Sequence, residues 1–176
     1  LFVLRYVKQL AVVPLTTHIE IKNVSNKIIL NLIMKKIITL KKSYSNLFKA
    51  EPKIAILGLN PHNSENRPLS IENKIIKPAI SKLKKLKINI KGPFPADTAF
   101  NKKNLLSYDV IVGMYHDQVL GPFKALYGYD AINITLGLKY LRISPDHGTA
   151  QDIVGLNKAN PQSLISAINF LSKIND

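Results

Sequence analysis

Four apolar runs of strand length constrain this chain most: LAVVPL at 10 to 15, KIAIL at 53 to 57, DVIVGMY at 109 to 115 and AINITL at 131 to 136. They read as continuous rather than alternating, the pattern of strands covered on both faces. Between them the period becomes helical. Ile28, Ile29, Leu32, Ile33, Ile37 and Leu40 predict a crossover helix, with Ser25 as its N-cap. A second helix is predicted from about Ser70 through Ile75, Ile76, Ile80, Leu83 and Leu86, kinked at Pro78 and ending before the turn-rich Gly92-Pro93-Phe94-Pro95. A third covers about 117 to 127, and a last one, 162 to 173, follows Asn160-Pro161. Strand alternating with helix predicts an α/β fold of three layers around a mainly parallel sheet. No repeat, linker or boundary divides residues 1–176.

Composition removes several function classes. Hydrophobic residues make up 46% against 20% charged, enough apolar side chain for an ordinary core and too much for a disordered chain. No apolar run approaches the roughly 20 residues of a membrane-spanning helix, so no membrane partner is expected. The opening LFVLRYVKQLAVVPL is faintly like a signal peptide, but Arg5 and Lys8 interrupt it and no small-x-small cleavage site follows. A leucine first, with a strand-like run almost at once, predicts that the chain begins inside a larger fold. Without cysteine there is no disulfide, thiolate nucleophile or Cys-ligated zinc, so a metal must rest on histidine and carboxylate. The cytoplasm is the expected compartment.

The net charge of +14 invites a nucleic-acid reading. Its distribution argues against one. Residues 22 to 103 hold eighteen Lys or Arg against four acids, whereas residues 104 to 176 hold five against six. The lysines of KKIITLKKS and SKLKKLKINIK take the polar positions of helix-like segments, with no interleaved aromatics. Solvated helix faces explain them, and no nucleic-acid partner is expected.

His18, His62 and His116 each follow a predicted strand by a few residues, in LAVVPLTTH, IAILGLNPH and VIVGMYH. In open α/β sheets ligands bind outside the carboxyl ends of the strands, so three imidazoles in the same relation to three strands point to a shared metal or active site. Any one alone reads as a hydrogen-bonded loop histidine. Lys124, Asn133 and Arg142 form a second group able to hold a phosphate or carboxylate, although singly each suits an ordinary surface or strand-end role. SPDHGTAQDIVG is a loop carrying Asp146, His147 and Asp152, with Gly148 suited to a turn or a close backbone approach. Neither G-x-G-x-x-G nor G-x-x-x-x-G-K-[ST] occurs.

GLNPH at 58 to 62, GPFPADT at 92 to 98, MYHDQ at 114 to 118, NITLGL at 133 to 138 and DHGTA at 146 to 150, with TTH at 16 to 18, stand in one order. In these motifs the chain resembles the 4-hydroxythreonine-4-phosphate dehydrogenase family, in register from about residue 10 to the C-terminus. The resemblance implies a fold like those of isocitrate and isopropylmalate dehydrogenases. It also implies NAD-dependent oxidation and decarboxylation of 4-phosphooxythreonine in pyridoxal phosphate biosynthesis, and a homodimer with its active site at the interface. Residue by residue, His18, His62 and His116 fall on ligands of a divalent metal (zinc, magnesium or cobalt), and Lys124, Asn133 and Arg142 on substrate-binding positions. His147, Gly148, Thr149, Ala150 and Asp152 are similar to the adenosine-binding loop of the isopropylmalate dehydrogenases, with Asp152 in the place of the aspartate that holds ribose hydroxyls. Asp117 either orients His116 or caps the helix that follows.

Two departures stand out. After GLNPH the family continues glycine-rich and acidic, whereas residues 63 to 68 here read NSENRP, keeping Glu65 and losing the glycines, which predicts a reshaped loop. The family's N-terminal portion, with a histidine and a threonine that contact substrate, has no counterpart, so the fold is expected to be incomplete and the chain alone to have little or no activity. A dehydrogenase of a phosphorylated four-carbon sugar acid, or an inactive fragment that only folds or dimerises, stays open.

Overall fold

The computed structural model describes residues 2–7, 10–128 and 130–175; Lys8, read above as interrupting a signal peptide, lies outside them. Strands β1 (Phe2–Val7), β2 (Leu10–Thr16), β3 (Ile54–Leu57), β4 (Ile90–Phe94), β5 (Val110–Tyr115), β6 (Ile132–Leu136) and β7 (Arg142–Pro145) form one sheet ordered β4-β3-β5-β2-β1-β6-β7. The pairs β4–β3, β3–β5 and β5–β2 are parallel. β1 lies antiparallel between β2 and β6, and β7 is antiparallel to β6. It follows that β2 through β6 run one way and only β1 and β7 run back. The mainly parallel sheet is as expected; its antiparallel margin was not foreseen.

Helices α1 (Ile21–Lys27), α2 (Leu30–Phe48), α3 (Lys77–Lys85), α4 (Ala96–Ala99), α5 (Lys102–Ser107), α6 (His116–Tyr127) and α7 (Gln162–Asn175) complete the layers. Alternate residues of β2 enter opposite cores. Ala11, Val13 and Leu15 pack with Ile33, Ile37 and Leu40 of α2, Ile80 and Leu83 of α3 and Ala167 of α7. Leu10 and Val12 pack with Val119, Leu120 and Phe123 of α6. Burial on both faces is why LAVVPL reads as one apolar run. Among the described residues no helix is long and apolar enough to cross a membrane.

Three local expectations need correction. Ser25 lies inside α1 and caps nothing; the helical run breaks at Ile28, whose extended backbone puts its side chain wholly in the core, and α2 starts after Ile29 without a side-chain cap. Burying Ile28 outweighs the local cap signal. Near Pro78 the helix changes its winding: a π-helical turn (Glu72–Ile76) runs directly into α3, whose second residue is Pro78. Gly92-Pro93-Phe94 belongs to β4 rather than a turn, because an edge strand tolerates a proline. β6 alternates instead of being buried throughout: Ile132, Ile134 and Leu136 enter the α2 side while Asn133 and Thr135 stay half-buried on the other.

Candidate active site

β3, β5 and β2 are neighbours in the sheet and point the same way, so their carboxyl ends form one edge. Each delivers a histidine there. His18 follows Thr16 by two residues in a left-handed conformation (φ 52°), and His116 is the first residue of α6, directly after β5. Their ring centroids are 5.9 Å apart. Two imidazoles on one tetrahedral ion, each with its nitrogen about 2.0 Å from the metal, have centroids about 5–6 Å apart, so the pair fits a shared ion. A hollow of about 290 Å³ opens beside them, lined by Thr16, Thr17, His18, Glu20, Tyr115 and His116 among others.

His116 Nδ1 lies 2.6 Å from Asp117 Oδ1. In the tautomer with the ring proton on Nδ1, that proton is donated to the carboxylate and Nε2 is the nitrogen that can face a metal. Of the two roles open to Asp117, the structure shows the contact with the His116 ring; the N-cap of α6 is Tyr115, which makes no side-chain cap bond. His62 stands apart, its Nε2 4.0 Å from Asp97 Oδ2 and its side chain exposed. Among the described residues no three His, Cys, Asp or Glu side chains gather closely enough to hold an ion. One chain thus assembles two of the three predicted ligands.

His62 is the second residue of a 3-10 turn (Pro61–Asn66) in which His62, Asn63, Ser64, Glu65 and Asn66 all have φ between 48° and 59°. Left-handed backbone costs a non-glycine residue about 1–2 kcal/mol, and this is the stretch where the glycines are lost. Side chains hold the turn instead. Asn63 Nδ2 donates to Pro93 O at 2.9 Å, and Ser64 Oγ donates to Glu72 at 2.9 Å. Asn73 Nδ2 donates to the carbonyls of Asn66 and Arg67, both at 2.7 Å, and Lys77 Nζ reaches Asn66 Oδ1 at 2.9 Å.

Glu72 escaped the sequence reading. It is fully buried, and besides Ser64 its carboxylate accepts from the N–H of Leu59 at 3.0 Å, the N–H of Asn60 at 2.8 Å and Asn60 Nδ2 at 3.1 Å. Burial, the largest single influence, pushes its pKa up, but the donors from Asn60, its own backbone N–H and Ser64 together outweigh it and hold the carboxyl below its ordinary 4.5. Its one sequence signal is an acid amid lysines and isoleucines.

Asn133 and Arg142 share a sheet face: Asn133 and Thr135 are two apart on β6, and Arg142 pairs opposite Thr135. Arg142 Nη1 donates to Thr135 Oγ1 at 3.0 Å, and Asn133 Nδ2 to Pro145 O at 3.1 Å. Lys124 reaches the next carbonyl, Asp146 O, at 3.3 Å, with Nζ 3.7 Å from the buried Asp146 carboxylate. Lys124 and Asn133 thus meet around residues 145 and 146, with Arg142 on the same face. Lys124 follows His116 by eight residues of α6, about 12 Å at about 1.5 Å per residue, so on one chain the two groups are separate patches.

His147, Gly148, Thr149 and Ala150 line a groove of about 770 Å³ with Ile153 to Gly155 and Asn157 to Asn160. No atom lies within 4 Å of where a Gly148 Cβ would stand, so the backbone is open to a ligand. The groove has room for a nucleoside. Asp152 is exposed in the adjoining 3-10 turn (Gln151–Ile153) and is not among the residues that line it.

The family model described as pyridoxal phosphate biosynthetic protein PdxA matches residues 1–171. A 4-hydroxythreonine-4-phosphate dehydrogenase of Xanthobacter autotrophicus is 43% identical over 171 residues, 96% of this chain and 49% of that protein. The crystal structure of 4-hydroxythreonine-4-phosphate dehydrogenase from Klebsiella pneumoniae superposes with a TM-score of 0.85 at 34% identity, over 99% of this chain and 54% of that one. A terephthalate 1,2-cis-dihydrodiol dehydrogenase from Burkholderia xenovorans gives 0.74 at 27% identity, over 97% and 55%. The chain spans about half the length of the curated relatives it matches.

Proposed function

Because the chain belongs to the pyridoxal phosphate biosynthetic protein PdxA family and has its isocitrate/isopropylmalate dehydrogenase-like fold, we propose that it is part of an NAD- and divalent-metal-dependent dehydrogenase that oxidises and decarboxylates 4-phosphooxythreonine. The observation that carries this reading is the His18–His116 pair at the carboxyl edge, with His116 Nδ1 2.6 Å from the Asp117 carboxylate.

In this reading His18 and His116 hold a zinc, magnesium or cobalt ion with His62, whose exposed turn reaches the site within a homodimer. When bound, the ion supplies Lewis acidity at the hydroxyl being oxidised and NAD supplies the hydride acceptor. Asp117 keeps the His116 ring proton on Nδ1. Lys124 and Arg142 bind the anionic groups of the substrate, Arg142 through its planar fork, and Asn133 adds an amide beside them. His147, Gly148, Thr149 and Ala150 cradle the adenosine end of NAD, with Asp152 at the ribose hydroxyls. The compartment is the cytoplasm, in keeping with the absence of cysteine.

The test is NADH formation from 4-phosphooxythreonine, NAD and a divalent metal, run on this chain alone and on a protein with the length of its relatives, against a phosphorylated four-carbon sugar acid. The longer protein is expected to turn over the threonine compound and the chain alone to show little or no activity. Preference for the sugar acid, or equal rates with and without metal, refutes the reading.

A further inference from the structure

Buried polar side chains are costly unless they have a task, because an apolar core is cheaper to assemble. The buried polar or charged residues described are Thr16, Glu72, Gln118, Asp146 and Ser163. All lie under the loops of the proposed site. Asp146 and Ser163 underlie the loop that Lys124 and Asn133 reach, since Asp146 N–H donates to Ser163 Oγ and Ser163 Oγ donates to Ala131 O. Thr16, Gln118 and Glu72 underlie the histidine turns.

These last three join the turns through a chain of hydrogen bonds. Thr16, two residues before His18, donates to the carbonyl of Met114, two residues before His116, at 2.8 Å. The Met114 N–H donates to Gln118 Oε1 at 2.6 Å, and Gln118 Nε2 donates to Gly58 O at 2.7 Å. The next two N–H groups, of Leu59 and Asn60, go to Glu72. Gln118 is the link between the His116 turn and the His62 turn. A backbone N–H on one side and a backbone carbonyl on the other determine which end of its amide is which, and the site requires a donor and an acceptor on one side chain. Room is left for it: a Cβ on Gly113 would stand 3.0 Å from Gln118 Oε1 and 2.5 Å from Val119 Cγ1.

We propose that Gln118 is a positioning residue: by tying the His62 turn to the His116 turn of its own chain it fixes how the exposed His62 is presented to the divalent-ion site across the homodimer, and so sets the affinity of that site. The inference rests on the metal reading above. Gln118 touches neither imidazole; it acts on the backbone that carries them, as outer partners of metal ligands do.

The experiment is zinc titration by calorimetry on the full 176-residue chain, unaltered and as Gln118→Met, His62→Ala and the double variant. Met keeps the length and bulk and removes both hydrogen bonds. Gln118→Met is expected to weaken zinc binding about 10- to 100-fold in the unaltered background and less than about 3-fold when His62 is already gone. Equal weakening in both backgrounds would mean that Gln118 supports the fold or His116 alone, and would overturn the inference, as would unchanged affinity. Absence of zinc binding by the unaltered chain overturns the metal reading and this one with it. If Gln118→Met does not fold by circular dichroism, Gln118→Glu at pH 8, which still accepts from Met114 N–H but as a carboxylate cannot donate to Gly58 O, is read by the same criteria.

Discussion

Replacing Glu72 with alanine should destabilise this protein more than most single changes. The variant deprives the N–H groups of Leu59 and Asn60 and the hydroxyl of Ser64 of their acceptor, and a buried donor left without a partner costs about 1–3 kcal/mol. Relief of the cost of burying a charge offsets part of this, and some donors will find water once the turn opens. A net loss of about 3–5 kcal/mol remains, a large share of the roughly 5–15 kcal/mol by which domains are usually stable. Urea unfolding followed by circular dichroism should show a lower midpoint with little change in slope. The pH dependence supplies a second reading. Because the folded carboxyl titrates below its ordinary 4.5, its contribution is fully present above that value and is lost as the pH falls through the lower folded one. Unaltered protein should lose stability in that acid window more steeply than Glu72→Ala. A stability change under about 0.5 kcal/mol, or identical acid profiles, would refute the argument that this carboxylate anchors the turn.

Glu65→Gly should stabilise the chain by about 0.5–1 kcal/mol in the same urea assay, since relief of a left-handed glutamate (φ 50°) exceeds the loss of its exposed 3.2 Å pair with Arg67; a destabilised variant would show that the turn is unstrained. Asp117→Asn should weaken zinc binding about 10-fold by replacing the carboxylate beside His116 Nδ1 with a neutral amide, and unchanged calorimetric affinity would remove Asp117 from its orienting role. Arg142→Lys in a protein of full family length should raise the dissociation constant for the phosphorylated substrate by an amount equivalent to about 1–3 kcal/mol, because lysine keeps the charge and loses the fork; equal affinity would show that Arg142 serves only Thr135.

The strands buried on both faces were legible because a strand covered twice has little freedom in composition, as LAVVPL and VIVGMY show. Helix boundaries were less so: Ser25 carries a good cap signal, but the core claimed Ile28 and put the break there. β4 and β7 hid as turn-like GPFP and as the end of LKYLR, because edge strands need only one partner and tolerate proline and charge.

For the site, sequence alone singled out the candidate residues, since only a few side chains bind metals or anions and their offsets from strand ends are local quantities. His18, His62 and His116, Lys124, Asn133 and Arg142, and the loop from His147 were all named from linear spacing and motif. Tertiary structure decided which of them meet: His18 with His116, Lys124 with Asn133 around residues 145 and 146, and His62 apart from both. It also decided what holds them, through Gln118 bonding to a carbonyl sixty residues away and Glu72 closing over a backbone twelve and thirteen residues earlier. Such roles leave no periodicity and no fixed offset, because a hydrogen bond to backbone depends on where the chain returns in space and not on which side chain it returns to.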